Sequence, residues 1–294
     1  MTLSFIATVT LNGITLAALY FIVASGFSLI FGLMRTVNMA HGALYLVGAY
    51  IGFFVFDRLY LAGSDLAWIA GLAAGVVAAA VTGVVMQVAL LGWMQGQELR
   101  QALVTIGVSI IIADQLLAGF GGNAFQFFPP EILFGATELP GLGRYPTFRL
   151  FQIVIALIVG CGLWLLLNRT KLGLMVRAGV DDRQMLAACG VNVPLVAVAV
   201  FALGAGLAGL GGVIGGSAQP VGQGVDVRFL LTSLVVVIVG GMGSIGGTAI
   251  GALLIGLAEQ WGQALFPTYS VILTFMIMAL VLALRPQGLL GRVS

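Results

Sequence analysis

Apolar residues run along this chain in long blocks, at about 9–34, 37–56, 66–91, 99–119, 150–167, 193–217, 229–243, 245–264 and 270–284. The blocks are continuous rather than alternating. That points to helix and argues against an outer-membrane barrel, whose strands alternate between lipid and lumen; no strand is expected. A helix needs about 20 apolar residues to cross a bilayer. Some blocks are short or rich in glycine, so the pattern predicts an all-α membrane bundle of about eight to nine helical segments, with broken or re-entrant pieces that need not cross fully. The first two blocks together are too long for one crossing, and polar residues interrupt them at Asn38-Met-Ala-His-Gly42. The chain must turn or break there. Irregular backbone at membrane depth survives only against protein or a water-filled cavity, and broken helices of this kind mark transport paths.

Composition supports lipid as the solvent. The chain is 61% hydrophobic and 7% charged, against roughly 25% charged in an average soluble domain. We expect a single integrated transmembrane domain over 1–294. A net charge of +2 gives no reason to expect a nucleic-acid partner. Cys161 lies in an apolar block and Cys189 in a polar connector, so no disulfide is expected, and no metal-ligand spacing appears. The first Lys or Arg is Arg35, so a cleaved signal peptide is not expected and the first span should act as the insertion signal.

Orientation follows from Lys and Arg in the connectors. The richest connector, 168–192, carries Arg169, Lys171, Arg177 and Arg183, and the C-terminal tail adds Arg285 and Arg292. Both should be cytoplasmic. The connector 121–149, with Pro129, Pro130, Pro140 and Pro146, is then an external surface loop, although Arg144 and Arg149 count mildly against that side. Alternation over nine segments places the N-terminus outside; a re-entrant Asn38 region would reverse it. Within 168–192 a short helix is expected over 181–190. Asp181 is its candidate N-cap, Gln184 completes a capping box, and Gly190 can take the left-handed position after its end. Met185, Leu186 and Cys189 give it an apolar patch. A helix of about two turns cannot span. It is an ordinary structured loop, or it lies on the bilayer, or it docks on another protein.

Gly is abundant, at 43 residues. Gly204, Ala208, Gly212 and Gly216 lie four apart, as do Gly247 and Gly251, which suits close helix crossings in lipid. Gly240-Gly-Met-Gly-Ser-Ile-Gly-Gly247 is denser than packing requires, so a break or hinge is expected there. It resembles the Asn38–Gly42 break, which makes a weak internal repeat possible. No Gly-Lys-Ser/Thr follows, so these glycines are not a nucleotide loop. His41 is either a neutral hydrogen-bonding group or a proton-titrating one. Asp114 should face a cavity or partner, or sit near the external end of its span. Glu259, with Gln260 and Gln263, is expected at the interface. No catalytic triad, carboxylate pair or metal cluster appears, so enzymatic chemistry is not expected.

Taken together, several separated motifs in order resemble the permease subunits of ABC importers for branched-chain amino acids. These are Asn38–Gly42 with Tyr45 and Gly48, the connector from Arg177 to Asn192, the run Gly240–Gly247, and the ending Arg285-Pro-Gln-Gly-Leu289. The resemblance covers essentially the whole chain. It implies a helical permease paired with a second, related permease. Two cytoplasmic ABC ATPases would hydrolyse ATP, an extracytoplasmic binding protein would deliver solute, and this chain would hold no cofactor. The membrane would be the bacterial cytoplasmic (inner) membrane. Solutes would be branched-chain amino acids or similar small polar compounds such as amides and urea. The implied substrate path runs by Asn38, Ala40, His41, Gly42, Tyr45, Gly241, Gly243 and Ser244. The implied ATPase-coupling residues are Arg177, Asp181, Asp182, Arg183, Met185, Leu186, Ala188 and Gly190. The rival readings are a stand-alone secondary transporter, which needs acidic ion sites at depth, and a membrane enzyme, which needs clustered catalytic groups.

Overall fold

A computed structural model describes residues 3–34, 36–139 and 143–291. Among them the chain forms eleven α-helices and one strand pair. In order these are α1 (Leu3–Met34), α2 (His41–Leu61), α3 (Ala67–Ala89), α4 (Glu98–Phe120), β1 (Ala136–Leu139), β2 (Gly143–Pro146), α5 (Thr147–Arg169), α6 (Lys171–Asp181), α7 (Arg183–Ala188), α8 (Val193–Ala218), α9 (Val225–Gly240), α10 (Ile245–Leu265) and α11 (Ser270–Leu284). Seven segments are long and apolar enough to cross a membrane, and the pair α9–α10, bent by 116°, raises the number to as many as eight. The chain is a multi-pass helical membrane protein. Helix α9 has 16 residues, a length of about 24 Å that falls short of the roughly 30 Å hydrocarbon core.

The one strand pair among the described residues lies outside the apolar blocks. Strands β1 and β2 form an antiparallel hairpin inside the 121–149 connector, where water, not lipid, decides the backbone. Tyr145 of β2 anchors the hairpin by donating from its hydroxyl to Asn12 Oδ1 at 2.9 Å, and Arg149 donates to the same oxygen at 3.0 Å. The start of α1 and the hairpin therefore share one end of the bundle, the hairpin end. Helices α6 and α7 mark the opposite, connector end: Arg183 donates to the carbonyl of Leu33, in the last turn of α1.

Helices α1 and α8 hold the centre. Buried Ile22, Val23, Ala24, Ile30 and Leu33 on α1 and Val200, Phe201, Val213 and Ile214 on α8 fill the core clusters. Small residues let α8 approach its neighbours closely: a methyl group at Gly48 of α2 would lie 2.3 Å from the Cα of Gly209. In lipid no hydrophobic drive pushes helices together, so such backbone proximity supplies the packing. On the expected small-residue face of α8, a methyl group at Gly204 would lie 2.7 Å from the carbonyl of Gly26 on α1, and one at Gly212 would meet the carbonyl of Tyr45 at 2.2 Å. Outward positions carry the opposite signature. Val77, Val81, Val85 and Val88 on α3 are exposed and fall on one helical face, which suits acyl chains rather than water.

Beyond α11 the ending 285–291 folds back on the connector end. Leu289 and Leu290 donate from their backbone N–H groups to the carbonyls of Val239 and Gly240 at 2.9 Å each, satisfying acceptors at the end of α9 that the helix leaves unpaired. Ending the chain at Leu284 should expose both. The expected cost is about 2 kcal/mol, read as a lowered thermal midpoint of the purified protein in detergent.

Candidate functional site: a cavity where two helices begin at mid-depth

The Asn38 region is a re-entrant turn. Asn38 Oδ1 accepts from the N–H of Ala40 at 3.0 Å, and its carbonyl accepts from the N–H of His41 at 3.2 Å. Asn favours such turns because its side chain can bond its own backbone two residues on. Met39 donates from its N–H to Thr105 Oγ1 of α4 at 3.1 Å, which ties the turn to a neighbour. Arg35 lies outside the described residues. His41, the first residue of α2, is fully buried with its Nε2 2.9 Å from the carbonyl of Val23. That contact makes Nε2 the donor. Its ring meets Phe27 edge-on at 5.4 Å.

Val23 is well inside α1, about 16 Å from the end at Met34 at 1.5 Å per residue. Helix α2 therefore begins in the middle of the bundle and runs to the hairpin end, where Phe56 and Tyr60 pack against Phe127 and Phe128. Helix α9 begins at the same depth from the other direction. The chain leaves α8 at the hairpin end, where Val221 and Phe125 form an antiparallel bridge, and returns inward to start α9 at Val225. It then runs to the connector end. The two starts touch: a methyl group at Gly42 would lie 2.1 Å from the carbonyl of Asp226.

A cavity of about 500 Å³ opens between α2, α4 and α9 beside this meeting point. Met39, Leu46 and Tyr50 line it from the turn and α2; Ile106, Ser109, Ile110 and Asp114 from α4; Gln223, Gly224, Asp226 and Leu230 from α9 and its approach. That volume lies within the range of small-molecule sites, which run from about 300 to 1,000 Å³. Its walls are apolar with a few polar groups, and among the lining residues the charged ones are both acidic. Asp114, expected at a cavity or near the end of its span, is at the cavity. Asp226, Gln223, Ser109 and Tyr50 are lining residues that the sequence reading did not name. A lone Asp in an apolar helix was the available signal, since ionisable groups within spans default to functional hypotheses.

The residues of the implied path lie in two places. Asn38, Ala40, His41, Gly42 and Tyr45 build the α2 start, behind the cavity wall. Tyr45 is buried and stacked on Phe229 of α9 at 4.2 Å between ring centroids. Gly241, Gly243 and Ser244 are at the connector end instead, in the elbow between α9 and α10. Gly241 and Gly243 have φ of 108° and 78°, conformations that favour glycine, so the expected break is present there. A methyl group at Gly243 would lie 3.1 Å from the Cα of Gly32 on α1. Ser244 Oγ caps α10 by accepting from the N–H of Gly247 at 3.1 Å.

The residues that the resemblance implies for ATPase coupling form a continuous piece at the connector end. The expected helix over 181–190 starts later: Asp181 ends α6, and Asp182 is the N-cap of α7, its carboxylate accepting from the N–H groups of Gln184 and Met185 at 2.8 and 3.0 Å. Asp182 is extended, with φ −150° and ψ 108°, which separates the two helices and gives it the cap position; the side chain of Asp181 is outside the described positions. Gly190 closes α7 with φ 81°, as the sequence predicts. Arg177 on α6 donates to Asn168 Oδ1 at 2.9 Å. Leu186 is buried, whereas Met185 is 64% exposed and Ala188 also faces outward.

Glu259, near the end of α10, accepts from Tyr20 at 2.6 Å and pairs with Arg228 of α9 at 3.1 Å. A carboxylate inside a span is costly unless a cation and donors satisfy it, and Arg228 and Tyr20 supply them.

Comparison with known proteins was made over the whole chain. A family model described as branched-chain amino acid transport system / permease component matches residues 9–282. The chain is 30% identical over 290 residues to the high-affinity branched-chain amino acid transport system permease protein BraD of Pseudomonas aeruginosa, covering 96% of this chain and 94% of that protein. It is 27% identical over 296 residues to the corresponding permease protein LivH of Escherichia coli, covering 96% and 94%. It is also 27% identical to permease protein LivM of Escherichia coli, covering 96% of this chain and 70% of that one. No solved structure matches it. With a match that takes in both mid-depth helix starts, the connector helices and the elbow, the chain belongs to the branched-chain amino acid transport permease family.

Proposed function

We propose that this chain is a permease subunit of an importer powered by separate ABC ATPases, moving branched-chain amino acids or similarly small polar solutes inward across the cytoplasmic membrane. One observation carries the reading: the family match runs from residue 9 to 282 and so includes the two helix starts, the cavity, the connector helices and the elbow. Similarity to both LivH and LivM supports pairing with a second, related permease. The basic residues Arg169, Lys171, Arg177 and Arg183 favour the connector end as cytoplasmic. The C-terminal ending packs at that same end, so it would be cytoplasmic too, with the start of α1 outside; Arg292 lies outside the described residues.

In this reading the cavity is part of the route. Asp114, Gln223 and Asp226 cannot face acyl chains without penalty, so the face formed by α2, α4 and α9 is turned toward the partner permease and a wet path between the two. Helix α7 offers Met185 to a groove on an ATPase. Its movement reaches the path through Arg183, which holds the end of α1 at Leu33, only a few residues before the Asn38 turn. The glycine elbow at 240–247 lets α9 tilt relative to α10. Alternation between outward and inward access then amounts to displacement of the α2 and α9 starts against each other.

Affinity purification of the tagged chain in mild detergent tests the assembly. Recovery of a second permease and two ATPases is the expected result. Recovery of the chain alone, with solute transport retained in liposomes lacking ATP, would reject the assignment in favour of a secondary transporter.

A further inference from the structure

We infer that this chain is an inverted repeat, α1–α4 against α8–α11, and that Leu234 and Ile238 of α9 line the connector-side half of the solute route. This rests on the permease reading above and assigns the half that the cavity does not reach. Each repeat is a long helix, a break, a helix that begins at mid-depth, and two further helices. The breaks are equal in length, 35–40 after α1 and 219–224 after α8. The directions are opposite throughout. Helix α1 runs from the hairpin end to the connector end, and α8 runs back. Helix α2 leaves mid-depth for the hairpin end, and α9 leaves it for the connector end. Helix α4 finishes at the hairpin end, with Phe120 against Tyr50; α11 finishes at the connector end, where 285–291 pack. Close crossings are exchanged as a two-fold axis in the membrane plane requires. Helix α10 meets α1 at Gly256 and Ala17, and α3 meets α8 at Gly75 and Gly209.

Aligning the helix starts, His41 with Val225, shifts the first repeat by 184 residues onto the second. Equivalent residues must meet on a two-fold axis, and they do. Gly42 and Asp226 are equivalent and in backbone contact. Tyr45 and Phe229 are equivalent and stacked at 4.2 Å between centroids. Met39 with Gln223 and Leu46 with Leu230 are equivalent pairs, and all four line the cavity. The axis therefore passes between the helix starts and through the cavity. The counterpart of the Asn38 turn is thus 219–224 and not Gly240–Gly247, whose elbow corresponds to the α2–α3 link at 62–66. The cavity itself breaks the symmetry. On α2 its lining continues to Tyr50, about 14 Å from the helix start, and on α4 through Ala113, Asp114 and Leu117 toward the hairpin end. On α9 it stops at Leu230, and α11, the counterpart of α4, contributes none of the lining residues. Leu234, the equivalent of Tyr50, and Ile238 continue the α9 face of Val227 and Leu230 at helical spacing; both are partly exposed, whereas Val235, Val236 and Val237 between them are buried. In inverted-repeat transporters the site lies at mid-depth between the repeats, and access alternates as one repeat rocks against the other. Exchanging the two repeats' conformations here keeps the cavity's mid-depth part, closes the half at Tyr50 and opens its image along Leu234 and Ile238.

The test uses the copurified transporter in lipid nanodiscs, where both ends are open to a hydrophilic maleimide. Tyr50→Cys and Leu234→Cys are compared without nucleotide and with ATP plus vanadate, which traps the ATPases. Peptide mass spectrometry reads the introduced site apart from Cys161 and Cys189. The expected result is opposite responses: the condition that raises labelling at one position lowers it at the other. Each change should be about tenfold, because a minor conformer is at most about a tenth populated. Ala113→Cys should follow Tyr50→Cys, and Ile238→Cys should follow Leu234→Cys, so one variant that fails to fold does not decide the outcome. Responses of the same sign at the two ends overturn the inference. So does an absence of labelling at both Leu234→Cys and Ile238→Cys in both conditions. Failure of the ATPases to copurify with the unsubstituted chain overturns the parent reading before any labelling, and this assignment of the route with it.

Discussion

Replacing Gly42 with alanine should cost more than about 3 kcal/mol of stability, and replacing it with leucine should abolish recovery of folded permease. An added Cβ at Gly42 meets the carbonyl oxygen of Asp226 at 2.1 Å and its carbonyl carbon at 2.8 Å. Both obstacles are backbone, so no rotamer change relieves them. Overpacking of ordinary side-chain neighbours costs about 1–3 kcal/mol, and this case lies above that range because α2 and α9 must move apart as rigid pieces. Total stabilities of about 5–15 kcal/mol leave little room for such a loss. Gly107→Ala on α4 is the control: nothing lies within 4 Å of its added methyl group, and alanine favours helix by about 1 kcal/mol over glycine. Thermal midpoints of the purified proteins in detergent should therefore move in opposite directions. Equal midpoints for Gly42→Ala and the parent would show that the helix starts are not in contact in the membrane.

Met185→Asp should stop ATP-driven uptake while leaving the chain folded. Met185 projects from α7 with 64% of its surface exposed, and α7 is held from beneath by buried Leu186 and by Arg183 at the carbonyl of Leu33. An exposed apolar residue on a short rigid helix is the geometry of an anchor in a partner's groove. A carboxylate placed there would be desolvated without a partner, and the expected loss of uptake is at least about tenfold. Recovery of the ATPases with the tagged permease should fall in parallel, while the thermal midpoint of the isolated chain stays put. Uptake at the parental level would rule out α7 as the docking element. Arg183→Ala separates docking from transmission: the ATPases should still copurify, but hydrolysis should continue without transport because α7 no longer holds α1.

Much of this molecule was legible before any coordinates. Continuous apolar blocks announced helices in lipid because only a helix satisfies its own backbone there. Asn38 announced a turn, Gly190 a left-handed helix end, and the run Gly240–Gly247 a break, since each is a local requirement of the backbone and local requirements are written in neighbouring residues. The connector helix was legible for the same reason, though its start shifted by one residue: Asp181 and Asp182 are equivalent as letters, and only the extended backbone at Asp182 makes it the cap.

What tertiary structure alone decided is which distant residues meet. Nothing near Glu259 in the chain names Tyr20 and Arg228 as its partners; only the packing of α1, α9 and α10 brings the three together. Nothing near Asn38 states that the chain climbs from Met34 back to the level of Val23, or that α9 starts against α2 at Gly42. The cavity belongs to this second class. Its walls come from three helices far apart in sequence, and Asp226 joins Asp114 there only because α9 starts against α2 beside α4. Backbone preference is a property of a few consecutive residues and can be read from them. A site is a property of packing, and the residues that compose it carry no mark of one another until the helices close.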